Sequence, residues 1–197
     1  MIIAAFVSGP MLILTLYIQS WLKEFSDKGD ISDERTDFLY QYQGTSGCLC
    51  CFFLLGILGR LFDTMSIKIS LPITLILRAL SWFSLYTIED PNSWFFFLMI
   101  PLTHVMYFAT KITAESYITK MYPKDIRGMC NSVYGVCFSL TSFVYLSFCN
   151  WLFDKKAKLP FMGCAVADVL IALVVVILVS AGKFGDIIMP EDEQEKE

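Results

Sequence analysis

Long apolar runs recur along this chain, each about as long as a bilayer-crossing helix, and they constrain the fold more than any other feature. A helix needs about 20 consecutive apolar residues to cross the hydrocarbon core of a membrane. Hydrophobic residues make up 56% of the chain and charged residues 17%, which agrees with that interpretation. We therefore predict an all-α, polytopic integral membrane protein with its helices packed as one bundle.

The runs and the polar segments between them predict six transmembrane spans and an acidic, disordered tail over 184–197. An even number of spans puts both termini on the same side of the membrane. In the polar linker after the first span, Ser32 is placed to cap a short surface helix that leads into the second span. The predicted spans are about 1–22, 44–62, 69–88, 93–117, 126–153 and 160–182.

Two short loops carry the most specific patterns. The loop between the fourth and fifth spans contains Pro123, Arg127 and Gly128, a Pro-x-x-x-Arg-Gly pattern between two helices. The loop after the second span begins at Gly59 and continues as Gly-Arg-Leu-Phe-Asp, with Lys68 five residues after the aspartate. Basic residues in the first of these loops fit a cytoplasmic membrane surface.

These two loops resemble conserved loops of the major facilitator superfamily of transporters, in order and in spacing. In that family the loop after the second span reads Gly-x-Leu-Ala-Asp-Arg-x-Gly-Arg-Lys. Here Thr64, Ser66 and Ile67 stand where Arg, Gly and Arg are usual. The resemblance implies one six-helix half of such a transporter, and the acidic tail after the last span leads us to expect the C-terminal half. It also implies cytoplasmic termini, which the basic residues of the loops do not decide.

The resemblance further implies a secondary transporter that moves a small solute by alternating access. A six-span half needs a second half, which would be a separate chain, a second copy of this chain or a missing N-terminal part. The alternative function is a non-transporting structural or accessory subunit with a transporter-derived fold. The solute and the coupling ion are not encoded in any recognisable motif.

The fourth span carries three ionisable residues, His104, Lys111 and Glu115, and charges inside a span are costly. Their offsets put them within about 20° of one line along the helix. Lys111 and Glu115 are also spaced to form an i,i+4 pair. Two interpretations of these residues remain open: a wall of the transport pathway, or a self-paired stripe buried against a neighbouring helix. His104 itself could shuttle protons, or it could simply be hydrogen-bonded in the interior.

The two loops also predict a contact that joins the ends of the second and fifth spans. Asp63 is placed to accept hydrogen bonds from the start of the fifth span or to pair with Arg127. We call this predicted contact the loop latch; the alternative is an ordinary solvated acid. The latch comprises Gly59, Asp63, Lys68, Arg127 and Gly128.

Two further charges lie inside spans, Arg78 in the third and Asp168 in the sixth. In the major facilitator superfamily, which the two loops resemble, those two helices are peripheral. The resemblance therefore implies structural pairing of the two charges, or contact with a partner, rather than contact with the solute. Along the fifth span, small residues recur at helix-packing spacing, namely Gly128, Ser132, Gly135 and Ser139.

Several other functions find no support in the sequence. The chain has a net charge of −4 and no basic patch for nucleic acid. Its seven cysteines show no zinc spacing, and the cluster Cys48, Cys50 and Cys51 is expected to be small apolar packing groups or a site of palmitoylation. No nucleophile–base pair or phosphate-binding loop is visible, so neither an enzyme nor a cofactor is expected.

Overall fold

The computed structural model describes residues 2–8, 11–121 and 126–182. Every regular element in these ranges is an α-helix, so the predicted all-α fold is confirmed. The helices are α1 (Ile2–Ser8), α2 (Met11–Asp27), α3 (Asp33–Asp63), α4 (Ile67–Thr87), α5 (Trp94–Met121), α6 (Arg127–Phe153) and α7 (Leu159–Ser180).

Five of these helices, α3 to α7, are long and apolar enough to cross a membrane. They correspond to the second to sixth predicted spans, and the ends of α4, α6 and α7 lie within about two residues of the predicted ends. The first predicted span corresponds to α1 and α2, which lie on either side of residues 9–10. The count of six spans therefore stays a prediction, and the tail lies outside the described residues.

Helix α3 begins well before the predicted second span. Its first turn is capped as predicted, because the Arg35 N–H donates to Ser32 Oγ at 3.2 Å. The separate surface helix predicted there is wrong: the segment is the beginning of α3, which runs from Asp33 to Asp63 without a break. No proline or glycine interrupts the chain between Ser32 and Gly44, so the capped helix continues directly into the apolar run.

The turn between α2 and α3 is short because a glycine closes α2. Gly29 has a φ of 78°, a backbone conformation that is costly for other residues. The Asp30 N–H donates to Phe25 O at 3.0 Å and the Gly29 N–H donates to Ser26 O at 2.9 Å. This pattern is a Schellman motif, which satisfies the last carbonyls of α2 and reverses the chain.

The helices carry polar groups inside the bundle and apolar groups outside. On α4 the buried positions include Ser70, Thr74 and Arg78, whereas Ile73 and Leu80 are exposed. This distribution is the reverse of a water-soluble protein, in which exposed positions are mostly polar. It is what a bundle surrounded by lipid requires, because polar side chains find hydrogen-bond partners only in the interior.

Packing pairs the helices in a regular way. Helix α4 packs along α7 and also against α5, and α3 packs along α5. Helix α1 contacts α5 and α6, while α2 contacts α3 and α6. As a result α5 is enclosed by α1, α3 and α4, and its polar residues are positioned by these three neighbours.

Polar contacts fix the helix ends on one side of the bundle. Arg35 Nε donates to Asn92 Oδ1 at 2.8 Å, and the Tyr42 hydroxyl donates to Phe97 O at 2.6 Å, so α3 is held beside α5. Lys158 Nζ donates to Ile88 O at 2.6 Å and thereby joins α7 to the end of α4. Burial lowers the pKa of Lys158, and the nearby charge of Lys156 acts in the same direction.

Two hydrophobic clusters fill the bundle, one toward each end. The first is aromatic and includes Trp21, Trp82 and Phe161, and the second consists of smaller residues such as Leu75 and Val175. Both α4 and α7 contribute to both clusters. On each of these helices one fully buried charge lies between the residues of the first cluster and those of the second.

These two charges, Arg78 and Asp168, form a bidentate ion pair. Arg78 Nε donates to Asp168 Oδ2 at 2.8 Å, Nη2 donates to Oδ1 at 2.5 Å, and both side chains are 0% exposed. Arg78 Nη1 donates to Val7 O at 2.5 Å, near the end of α1. The structural pairing predicted for both residues is confirmed, and each is the other's partner.

We expect the pair to dominate the stability of the bundle. The substitution Asp168→Asn would leave a buried guanidinium without its counter-charge, which costs about 3–5 kcal/mol in comparable cases. A large drop in the thermal unfolding temperature of the purified protein in detergent would follow. Asp154→Asn, at the exposed end of α6, is the matched control and should change little.

The double substitution Arg78→Met with Asp168→Leu removes both charges together. We expect it to be less destabilising than Asp168→Asn alone, because an apolar pair leaves no unpaired charge in the interior. An unfolding temperature for Asp168→Asn equal to that of the control would contradict the assigned role of the pair.

Tags at the two termini distinguish six spans from five. If α1 and α2 cross the membrane, an N-terminal tag and a C-terminal tag should be accessible on one side and a cysteine at Asp30 on the other. If only α3 to α7 cross, the N-terminal tag and Asp30 would share a side, opposite to the C-terminus. Labelling with a membrane-impermeant reagent in sealed vesicles measures the difference.

Candidate functional site

The ionisable residues of α5 lie on the face turned away from α4. Residues toward α4 are buried, and Thr110 Oγ1 lies 3.3 Å from Thr74 O of α4. His104, Lys111 and Glu115 follow the other face, where all three are partly exposed. The predicted alignment therefore holds on a regular helix, and the three side chains form what we call the α5 stripe.

Lys111 and Glu115 form the predicted i,i+4 pair. Lys111 Nζ lies 3.7 Å from Glu115 Oε1, and the side chains are 30% and 41% exposed. The Tyr134 hydroxyl of α6 donates to Glu115 Oε1 at 3.4 Å. These contacts are longer than strong hydrogen bonds, and both charged side chains are partly exposed, so solvent weakens the attraction between them. This end of the stripe is thus oriented toward α6.

His104, at the other end of the stripe, is held tightly. Its Nδ1 lies 3.0 Å from Ile100 O, and a carbonyl oxygen can only accept, so Nδ1 carries the proton. Gly47 of α3 packs against the ring: a Cβ built on Gly47 would lie 2.7 Å from His104 Cγ. The absence of a side chain at Gly47 is what allows the imidazole to occupy its position.

The stripe is therefore divided between two neighbours. His104 contacts α3, whereas Glu115, the partner of Lys111, accepts a hydrogen bond from Tyr134 of α6. All three residues are partly buried, so both interpretations, a wall of the transport pathway and a self-paired stripe packed against a neighbouring helix, stay predictions. The three residues form one side of a partly open surface within the helical bundle.

A cavity of about 630 Å³ lies next to His104, between α2, α3 and α5. Sequence reasoning missed this cavity because residues 23–43 were assigned to a linker rather than to a continuous helix. The available signal was the spacing of Tyr40, Gln43 and Gly44, which puts them on one face of a helix. The lining residues are Thr15, Tyr40, Gln41, Gln43, Gly44, Thr45, Cys48, Leu49 and His104.

The loop latch remains a prediction. Asp63 is the last residue of α3 and Arg127 the first of α6, but the side chain of Asp63 lies outside the described part of the chain. Lys68 lies in the first turn of α4. A Cβ on Gly59 or Gly128 would meet none of the described atoms within 4 Å, so no close backbone approach is seen there.

The cysteines are free thiols in different environments. Cys48 is exposed on the cavity wall, Cys50 is half-buried and Cys51 is buried. Within the described residues no three His, Cys, Asp or Glu side chains are grouped as a metal ion would require. The cysteine cluster therefore contributes one small side chain to the cavity and two to packing.

The chain matches no protein-family model, no curated protein and no solved structure.

The close contact between Gly47 and His104 leads to a paired test. We expect Gly47→Ala to displace the imidazole and to cost about 1–3 kcal/mol, as overpacking typically does. Gly56→Ala on the same helix meets nothing within 4 Å and should be neutral or slightly stabilising, because alanine favours a helix. Thermal unfolding of both variants in detergent measures the difference, and similar unfolding temperatures would show that His104 is not held by Gly47.

Proposed function

We propose that this chain is half of a secondary transporter, a six-helix bundle that moves a small solute across the membrane together with a second half. The observation that carries the proposal is the α5 stripe. Its ionisable groups are partly exposed within a helix long enough to span the membrane. Ionisable groups facing lipid are strongly unfavourable, so this face of α5 borders water, a solute or a partner.

The packing of the helices supports a transporter-like arrangement. The chain divides into a first set, α1 with α2, α3 and α4, and a second set, α5, α6 and α7. Contact of α3 with α5 is matched by contact of α6 with α1, and α4 contacts α7. Exchanging the two sets reproduces these contacts, as expected for the inverted three-helix repeats within each half of a major facilitator transporter, whereas the contacts of α2 with α3 and of α6 with α7 have no counterpart of similar extent.

The outward face of α6 supports the presence of a second half. Its small residues were predicted to pack against another helix, yet Ser132, Gly135 and Ser139 are exposed. A Cβ on Gly135 would meet nothing within 4 Å among the described atoms. Small residues allow close packing of membrane helices, and here they are presented to a partner outside the bundle.

A non-transporting subunit is the second candidate, and one observation favours it. Lys111 and Glu115 lie close enough to neutralise each other, so neither charge has to be matched by a solute. The same surface of α5 would then be covered permanently by a partner. Whether water reaches the stripe therefore distinguishes a transporter from a non-transporting subunit.

Cysteine labelling tests the proposal in native membranes that contain any natural partner. Phe108→Cys lies on the stripe between His104 and Lys111, and Leu80→Cys on the exposed apolar face of α4 is the matched control. A water-soluble maleimide reacts with a thiolate, which forms in water and not in lipid. A transport pathway predicts labelling at residue 108 and none at residue 80, measured by mass spectrometry of each peptide.

The native cysteines provide internal references for this experiment. Cys164 is fully buried and should stay unlabelled in every variant. Absence of labelling at Phe108→Cys, in membranes where a cysteine at Asn92 does react, would reject the pathway and favour the non-transporting subunit.

A further inference from the structure

A second cavity, of about 690 Å³, lies between the end of α2 and the turn that joins α6 to α7. Because α6 and α7 are each long and apolar enough to cross a membrane, this turn lies at a membrane surface. We call the cavity the surface cleft. Both signs of charge line it, namely Lys23, Glu24, Asp27, Lys28, Asp154, Lys155 and Lys156.

Most of these charges are not neutralised within the chain. Lys28 forms an i,i+4 ion pair with Glu24. The other five side chains are exposed and make no ion pair with any of the described residues. The surface cleft therefore presents three cations and two acids to a ligand: Lys23, Asp27, Asp154, Lys155 and Lys156.

The turn that carries three of these charges has a fixed backbone. The Asp154 N–H donates to Asn150 O at 3.0 Å, and the Lys156 N–H donates to Leu152 O at 3.1 Å. These bonds satisfy the last carbonyls of α6, so the turn continues directly from the helix. A ligand in the surface cleft would thus meet charges whose backbone is already in place.

Apolar side chains continue from the surface cleft along α2 and α6. Leu16 is 43% exposed and lies one turn before Ser20, which lines the cleft. Leu146 is partly exposed and lies two turns before Phe153, which also lines it. The Tyr17 hydroxyl lies 3.4 Å from Leu146 O, so the two helices are adjacent at this depth. An apolar surface therefore lies directly below the charged groups.

Trp151 indicates the level of the surface cleft relative to the membrane. Its ring is 55% exposed, and Lys155 Nζ lies 4.9 Å from the ring centroid. Tryptophan side chains are enriched at the level of the lipid headgroups, where one part of the ring is apolar and the other polar. The cations of the cleft thus lie where the phosphates of a bilayer lie.

We propose that the surface cleft binds the headgroup of a zwitterionic phospholipid that carries a phosphodiester and a primary ammonium, as phosphatidylethanolamine does. The lysines bind the phosphate, and Asp27 and Asp154 accept hydrogen bonds from the ammonium. A headgroup without an amine leaves both acids unmatched, and a quaternary ammonium has no N–H to donate. The acyl chains lie against Leu16 and Leu146. This site does not depend on the proposed transport function.

Competitive photolabelling tests the site on the unmodified protein. We would reconstitute the purified full chain in nanodiscs with a phosphatidylethanolamine whose acyl chain carries a diazirine, and locate the labelled peptides by mass spectrometry. We expect labelling of the peptide that contains Leu146. The unlabelled competitors share their acyl chains and differ only in the headgroup. Phosphatidylethanolamine should compete about tenfold better than phosphatidylcholine or phosphatidylglycerol.

The same headgroup chemistry also exists in water-soluble form, as glycerophosphoethanolamine. This molecule has the phosphodiester and the primary ammonium but no acyl chains, so it cannot use the apolar surface below the cleft. We expect it not to compete with the photoreactive lipid. Competition as strong as that of phosphatidylethanolamine would assign the cleft to a soluble solute and overturn the assignment to a lipid.

Two double substitutions separate the two halves of the headgroup. Lys155→Gln with Lys156→Gln should weaken binding of phosphatidylethanolamine about tenfold, since the phosphate loses its counter-charges. Asp27→Asn with Asp154→Asn keeps the lysines, so phosphatidylglycerol should then compete at least as well as phosphatidylethanolamine. All four side chains are exposed, and we expect the thermal unfolding temperature to be unchanged.

Arg60→Gln and Glu34→Gln, exposed positions on α3 outside the surface cleft, are the matched controls and should leave labelling and lipid preference unchanged. Equal competition by all three lipids would show ordinary boundary lipid and overturn the proposal. An unchanged preference for phosphatidylethanolamine in the variant without the two acids would also overturn it. The comparison of lipids uses the unmodified chain, so it stays valid if a variant fails to fold.

Discussion

The ion pair between Arg78 and Asp168 is the interaction on which the rest of the bundle depends. It joins α4 to α7 between the two hydrophobic clusters, and through Val7 O it also holds the end of α1. A carbonyl near a helix end lacks its intrahelical partner, and inside a membrane no water replaces it. Arg78 serves both needs at once, because one guanidinium neutralises the carboxylate and satisfies the backbone of α1.

The buried ion pair does not involve the ionisable groups of α5. The charges of α4 and α7 are satisfied internally, whereas His104, Lys111 and Glu115 remain accessible to varying degrees. The charged groups that stabilise the bundle thus lie on α4 and α7, whereas the accessible ionisable groups lie on the neighbouring helix α5. Both proposed functions, transport and a non-transporting assembly role, depend on that available surface of α5.

Much of this organisation was predictable from local sequence, and the rest depends on tertiary contacts. Helix content, five spans, the Ser32 cap and the Lys111–Glu115 pair follow from hydropathy and helical spacing. The identity of Arg78 and Asp168 as partners does not, because it requires the packing of α4 on α7. Gln43 was missed for a different reason: polar composition suggested a linker, whereas the cap and uninterrupted helix formers extend α3 through it.

The contact between Gly47 and His104 also bears on how this sequence can change. A methyl group at residue 47 and an imidazole at residue 104 would require the same volume, so the two positions are not independent. Related sequences with a larger residue at position 47 should carry a smaller one at position 104. Joint variation of these positions would thus identify relatives that lack the histidine, one of the residues that line the cavity.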